Sequence, residues 1–199
     1  MKNGKLSNKY KEALDFTFEL HQNQTRKGVD IPYMTHLMSV SSLILENGGD
    51  EEQAIAGLLH DSIEDQSQNF GGADKLRMEL ERRFGKRVLD MVEACTDADT
   101  IPKPPWRARK EQYIASIAHK SQDALLVSLA DKCHNSKTIL NDYKILGDAV
   151  FDRFTAKKDG TLWYYRSLAT EFSKTINSPL VADLDATVTE LERLSTVFS

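Results

Sequence analysis

Cysteine is nearly absent from this sequence: Cys95 and Cys133 are the only two, and they form no CxxC pair. Two thiols do not make a disulfide framework, so reduced intracellular cysteines are the default, with Cys133 read as a small packing residue. No apolar run approaches the roughly 18 residues that span a bilayer. The opening MKNGKLSNKYKEALDF carries no apolar stretch of the signal-peptide kind. Nor is there an excess of positive charge: 26 Lys and Arg against 30 Asp and Glu give a net charge of -4. That argues against broad nucleic-acid or membrane-surface binding, since either partner calls for a basic field. A small anionic ligand stays open, because a local pocket can be basic on an acidic protein. With 40% apolar and 28% charged residues, the chain has the balance of a globular protein. The expectation is one cytoplasmic domain over residues 1–199, with a core at about 8–150 and a helical extension at about 151–199.

Period-2 alternation is missing too, and the hydrophobic spacing is helical almost throughout. Tyr10, Leu14, Phe18 and His21 predict one face of a first helix. A second runs from about Tyr33 to the Asn47-Gly48-Gly49 stop. Asp50 with Gln53 reads as a capping box opening a third, which the pattern carries through about Asp65. Leu76, Leu80 and Phe84 stripe a fourth, ended by Gly85, and Val88, Leu89 and Val92 mark a fifth. Residues 96–106 hold Pro102, Pro104 and Pro105 and read as a loop. Tyr113, Ile114 and Ile117 give a sixth helix, and Leu125 to Leu140 a long seventh. Leu162, Tyr165, Leu168 and Phe172 give another. Ser178-Pro179 opens a last one with Val181, Leu184, Val188 and Leu191 on its buried side. The fold class is all-α.

Chemistry concentrates in Leu58-Leu59-His60-Asp61-Ser62-Ile63-Glu64-Asp65. At roughly 100° per residue, His60, Asp61, Glu64 and Asp65 fall on one arc of a helix, with Ile55, Leu58, Leu59 and Ile63 opposite. Carboxylates that close repel one another unless a cation sits among them. An acidic helix alone is most often a solvated face, but two further residues change the reading. His36 lies on the preceding helix, and Asp131 follows the apolar run Leu125-Leu126-Val127, where an unpaired carboxylate is costly. Together His36, His60, Asp61 and Asp131 offer two imidazole nitrogens and two carboxylate oxygens. That set suits Mn²⁺, Fe²⁺, Zn²⁺ or Mg²⁺ without choosing among them.

The order His … His-Asp … Asp resembles the signature of the HD phosphohydrolases. More narrowly, the chain is similar to the hydrolase domain of RelA/SpoT enzymes and to stand-alone small alarmone hydrolases. The matching pieces are 21–27 (HQNQTRK), 32–36 (PYMTH), 57–65 (GLLHDSIED), Phe84-Gly85 with Val88, and 129–135 (LADKCHN). The resemblance implies an HD-domain helical bundle with additional C-terminal helices and a metal held by His36, His60, Asp61 and Asp131. Mn²⁺ is the expected ion. It further implies that Glu64 and Asp65 activate the attacking water, and that Arg26, Lys27 and Asn135 contact a nucleotide. His21 and His134 are implied as hydrogen-bonding residues beside the site. Without it, Arg26-Lys27 reads as an ordinary basic turn before Gly28. The implied reaction is removal of the 3′-pyrophosphate of (p)ppGpp. The alternatives are another nucleotide such as (p)ppApp, or a non-catalytic alarmone-binding module, which would not need Glu64 and Asp65. Departures are Asn23 for the usual glycine, Leu37 after His36, and Gln66 after Asp65. Near Thr96-Asp97-Ala98-Asp99 the family's lysine is missing; Lys103 is the substitute within reach. Lys103, Arg107, Arg109 and Lys110 form a basic cluster that could hold distal phosphates or simply face solvent. Tyr164, Tyr165 and Arg166 are further pocket candidates, with Trp163 and Tyr165 equally suited to the core.

Overall fold

A computed structural model describes residues 5–97 and 102–197. The first helix, α1 (Asn8–His21), opens where the Ser7 side chain accepts from the Lys9 amide. It buries Ala13, Phe16, Thr17 and His21, while Phe18 is 55% exposed. The expected stripe was thus misplaced at Phe18: next to the buried Thr17, it sits about 100° round the helix from it. Helix α2 (Met34–Glu46) buries His36, Leu37, Val40 and Ile44. Helix α3 (Glu51–Leu59) begins with the Asp50–Gln53 capping box, and every residue from Gln53 to Leu59 is buried. A helix apolar on all sides belongs in the middle of a bundle, and α3 packs against α1 and α2 on the N-terminal side.

The third helix does not run on to Asp65 as its periodicity suggested. It stops at Leu59, and a separate helix, α4 (Ser62–Phe70), starts after His60 and Asp61. Beyond lie α5 (Ala73–Phe84), α6 (Lys86–Cys95), α7 (Trp106–Ile117) and the 25-residue α8 (Gln122–Leu146). A 3₁₀ turn (Gly147–Arg153), α9 (Lys157–Thr175) and α10 (Pro179–Val197) complete the order. The 3₁₀ turn has no counterpart in the periodicity. The expected loop before α7 is non-helical at 102–105, and its middle, including Ala98 and Asp99, lies outside the described residues.

Helix α8 is the second axis: α2, α3 and α6 pack on one part of it, α9 and α10 on another. Leu184, Val188 and Leu191 of α10 are fully buried, as their spacing predicted. The α1–α2 connection is pinned by paired hydrogen bonds, Arg26 N to Ile31 O and Tyr33 N to Gln24 O, both 2.8 Å. Its turn needs Gly28 at φ +76, where a Cβ would meet Arg153 Cγ at 2.8 Å.

Arg87 on α6 ties together the starts of α3 and α8. It donates to Asp50 at 2.9 Å, to Glu52 at 2.9 Å and to Asp123 at 2.9 Å. Hydrogen bonds from Arg87 and then Lys9 hold the Glu52 carboxyl below its ordinary pKa. A depressed carboxylate contributes stability in full above its unfolded pKa and loses it as pH falls through the folded value. Arg87→Met should therefore cost about 1 kcal/mol at neutral pH, a modest figure because these side chains are largely hydrated. Urea melts should show that gap narrowing as pH falls below the ordinary carboxylate range; a gap unchanged in acid would refute the ion-pair account.

Candidate active site

The break between α3 and α4 shapes the site. The Ser62 hydroxyl donates to the Leu59 carbonyl at 2.6 Å, and His60 Nδ1 lies 2.8 Å from the Gly57 carbonyl. Side chains thus satisfy carbonyls left open where the helix ends. Asp61 is the N-cap of α4, yet its carboxylate makes no cap bond. It turns instead toward His60 Nε2, 3.0 Å away, and accepts from the Tyr33 hydroxyl at 2.6 Å.

Two helices, α2 and α8, and this junction carry the four predicted donors. His36 Nε2 lies 3.2 Å from His60 Nε2, 3.5 Å from Asp61 Oδ2 and 3.3 Å from Asp131 Oδ1. His60 Nε2 is 3.6 Å from Asp131 Oδ1. Donors about 2.0–2.3 Å from a shared ion stand roughly 3–3.7 Å apart, so His36, His60 and Asp131 fit a divalent metal, with Asp61 beside the two histidines. The protonation pattern fits as well. A carbonyl can only accept, so His60 carries its proton on Nδ1 and turns the Nε2 lone pair to the centre. His36 Nδ1 faces His134 Nδ1 at 2.8 Å. Burial, then the neighbouring His36 and Arg26, pull His134 down to about 4, so it is neutral and can accept from His36. Without a cation beside it, His60 holds a second proton on Nε2: burial opposes that charge, yet Asp61 and Asp131 overcome it and raise its pKa well above ordinary, so a metal would take the place of this proton. That pull marks a negative potential suited to a cation.

The carboxylate pair occupies the first turn of α4. Asp65 stands at the exposed mouth of the site and accepts from Gln24 Nε2 at 2.8 Å; partial desolvation by the surrounding protein, then the charge of Asp61, pushes it up to about 6. Glu64 is more constrained: it accepts from Lys103 Nζ at 2.7 Å and from the Asp97 amide at 3.2 Å. Lys103 therefore does reach the site. The rest of the expected basic cluster is engaged: Arg107 with Glu111, and Arg109 and Lys110 both with Asp97. Arg166 is bound by Glu192 and Asp185 on the far side of α9, which removes it as a pocket candidate.

Arg26, Lys27 and Asn135 line one cleft of about 230 Å³ together with Tyr33, Arg153 and Tyr165. The Arg26 guanidinium lies 5.4 Å from the Tyr33 ring centre and donates to Asn135 at 2.6 Å. Asn135 in turn donates to Asp131 Oδ1 at 2.5 Å, linking the cleft to the metal donors. His21 stacks on Tyr33 and pairs with Gln24 at 2.7 Å, a supporting role as expected. Tyr33, Gln24 and Lys132 gained no role from the sequence. Tyr33 three residues before His36 and Lys132 next to Asp131 were the available signals.

An HD domain model matches residues 13–162. The chain belongs to the HD domain family. It is 37% identical over 131 residues to the guanosine-3′,5′-bis(diphosphate) 3′-pyrophosphohydrolase MESH1 of Xenopus tropicalis, covering 64% of this chain and 68% of that one. The bifunctional (p)ppGpp synthase/hydrolase SpoT of Escherichia coli is 32% identical over 124 residues, 61% of this chain but 16% of its own length. Among solved structures, that of a metazoan ortholog of SpoT that hydrolyses ppGpp superposes with a TM-score of 0.75 at 26% identity. The match covers 94% of this chain and 97% of the other. It spans the C-terminal helices as well as the HD core. No described helix is long and apolar enough to cross a membrane.

Gly57 sets how closely α3 approaches α2, and so how far His60 stands from His36. A Cβ there would lie 2.5 Å from Ile44 Cδ1 and 3.2 Å from the Ser41 Cα. Ile44 can rotate away; the α2 backbone can only shift. Gly57→Ala should lower stability by about 1–3 kcal/mol and weaken metal binding, read by thermal melts and Mn²⁺ titration. Unchanged affinity would show that this helix spacing does not govern the site.

Proposed function

We propose that this protein is a divalent-metal-dependent hydrolase that removes the 3′-pyrophosphate of ppGpp or pppGpp, yielding GDP or GTP and pyrophosphate. The observation that carries the reading is the joining of two features through one residue. Asn135 bonds both Asp131, among the metal donors, and Arg26, in the adjacent cleft. His36, His60, Asp61 and Asp131 hold the metal, with Mn²⁺ the ion first to be tried. When bound, such an ion lowers the pKa of a water and draws charge off a phosphoryl group.

The remaining roles fall to the chain itself. Asp65 keeps one oxygen on Gln24 and has the other available to receive a proton, with a pKa near the working range of a general base. Glu64, held by Lys103 and the Asp97 amide, orients the attacking side of the site and keeps Lys103 beside it. Arg26 and Lys27 bind the nucleotide, Arg26 presenting a planar guanidinium suited to stacking or to phosphate oxygens. Asn135 keeps cleft and metal donors in register. The whole chain, C-terminal helices included, acts as one hydrolase unit, since Tyr165 of α9 lines the cleft. Buried reduced Cys95 and Cys133 and a nucleotide substrate agree with a cytoplasmic setting.

The deciding assay incubates the Mn²⁺-loaded protein with ppGpp and its adenine counterpart, scoring pyrophosphate and orthophosphate separately. The expected result is GDP and intact pyrophosphate in one step. Stepwise orthophosphate release, or no turnover of any 3′-pyrophosphorylated nucleotide, would overturn the reading. Faster turnover of the adenine compound would move the substrate while leaving the reaction.

Variants separate the roles. Asp65→Asn should retain metal and fold yet lose about 10²–10⁴-fold in kcat, as expected for removal of a general base. Asp131→Ala should lose the metal itself. Arg26→Ala should raise KM or lower kcat/KM with metal retained. Normal turnover by Asp65→Asn would remove it from the chemistry.

A further inference from the structure

Lys132 follows the metal-donor residue Asp131 on α8. Consecutive helical residues point about 100° apart and do not face one another. Lys132 nevertheless folds back so that its Nζ meets Asp131 Oδ2 at 2.5 Å. Its side chain is 13% exposed and that of Asp131 5%. The ammonium lies 4.8 Å from the centre of the Tyr113 ring, and among the described residues Asp131 is its one ion-pair partner. Taking a lysine ammonium out of water is costly even with an aromatic face beside it, and a solvent-facing lysine would have avoided that cost.

The two oxygens of Asp131 are thus divided. Oδ1 faces His36 Nε2 at 3.3 Å and His60 Nε2 at 3.6 Å and accepts from Asn135. Oδ2 is taken by Lys132. With Oδ2 drawn away to the ammonium, Oδ1 is the oxygen left facing the two histidines, which favours a single-oxygen contact of Asp131 with a metal. Charge points the same way: Asp61 and Asp131 cancel a divalent ion, and Lys132 leaves the loaded centre one unit positive. A positive centre with positions left open suits an anionic phosphoryl group; a neutral one closed by a bidentate carboxylate does not.

We propose that Lys132 is a positioning residue that holds Asp131 to a single metal-directed oxygen and keeps the loaded centre positive, favouring phosphoryl attack over tight metal binding. It rests on the metal site described above, and its metal arm is independent of which nucleotide is cleaved.

The test is Lys132→Met, with Lys132→Arg as the variant that keeps a donor and a charge. Mn²⁺ affinity is read from the free-ion EPR signal, and steady-state kinetics use whichever 3′-pyrophosphorylated nucleotide the wild type turns over. Lys132→Met should bind Mn²⁺ as tightly as wild type or more tightly while kcat falls about 10–100-fold, the usual range for a partner of a metal ligand. Lys132→Arg should recover most of kcat. Mn²⁺ binding weakened by about tenfold or more would instead make Lys132 a simple support for the ligand and overturn the proposal. Unchanged kcat, or no recovery in Lys132→Arg, would overturn it also. If Lys132→Met fails to give a cooperative melt, Lys132→Gln is read by the same two measurements with the same outcomes deciding. Inactivity of the wild type toward every such nucleotide would count against the hydrolase assignment, and the direction of the Mn²⁺ shift alone would then sustain or overturn the role of Lys132.

Discussion

Two imidazoles and a carboxylate buried together, with the Asp61 carboxylate beside them at the open edge, form the constraint on which the rest of this structure depends. Each must offer one atom to a common point and have its other polar atom satisfied elsewhere, or the desolvation cost is not recovered. The chain meets both demands through helix geometry. Gly57, three residues before His60, receives its Nδ1 proton; Tyr33, three before His36, crosses to Asp61; Asn135, four after Asp131, steadies Oδ1. His134, three after Asp131, takes the other side of His36. One turn of helix separates each supporting residue from a donor-bearing position. The second layer therefore comes from the same helices as the first.

This economy also ties the nucleotide cleft to the metal donors. Asn135 is shared between them, and His134 on the same turn of α8 is lowered in pKa partly by Arg26. A ligand that draws Arg26 away from Asn135 alters the hydrogen bonding of Asp131 in the same act. Under the proposed function, occupancy of the cleft and the orientation of a metal-directed carboxylate are a single event.

Much of this was legible in the sequence, because helical periodicity is strong when a bundle has a well-defined inside. Nine helical stretches, and the residues His36, His60 and Asp131 that the fold clusters, could be read from residue spacing and from motif order. The misreadings have different causes. Phe18 was assigned to the wrong face of a helix that does form, whereas continuity through Asp65 extends a 3.6-residue period past the point where local bonding overrides it and ends the helix. At His60 the override is functional: an unbroken helix would send His60 and Asp61 in directions about 100° apart, and the turn lets both face His36. The 3₁₀ turn at Gly147–Arg153 has no periodic signature, yet it carries the Arg153 that covers Gly28. Pairings across long separations, such as Lys103 with Glu64, leave no mark on a one-dimensional pattern at all.

Those long-range pairings determine where the rest of an anionic substrate can go. Arg109 and Lys110 are both committed to Asp97, whose side chain is 7% exposed, and Lys103 is committed to Glu64. Arg153 is held by Asp142 at 2.5 Å. Lys27, in contrast, lines the cleft without an ion-pair partner among the described residues. A charge already paired inside a protein gives up that pairing to bind a new anion, whereas an unpaired one sacrifices only hydration. Under the proposed reaction, a nucleotide with its 3′-pyrophosphate at the metal donors therefore places its other phosphates toward Lys27 rather than toward the α7 cluster that the sequence made prominent. The absence of the family's lysine near Asp97 then bears less on substrate choice than the composition of that loop suggested, because the cations around it are occupied with holding the loop to the site.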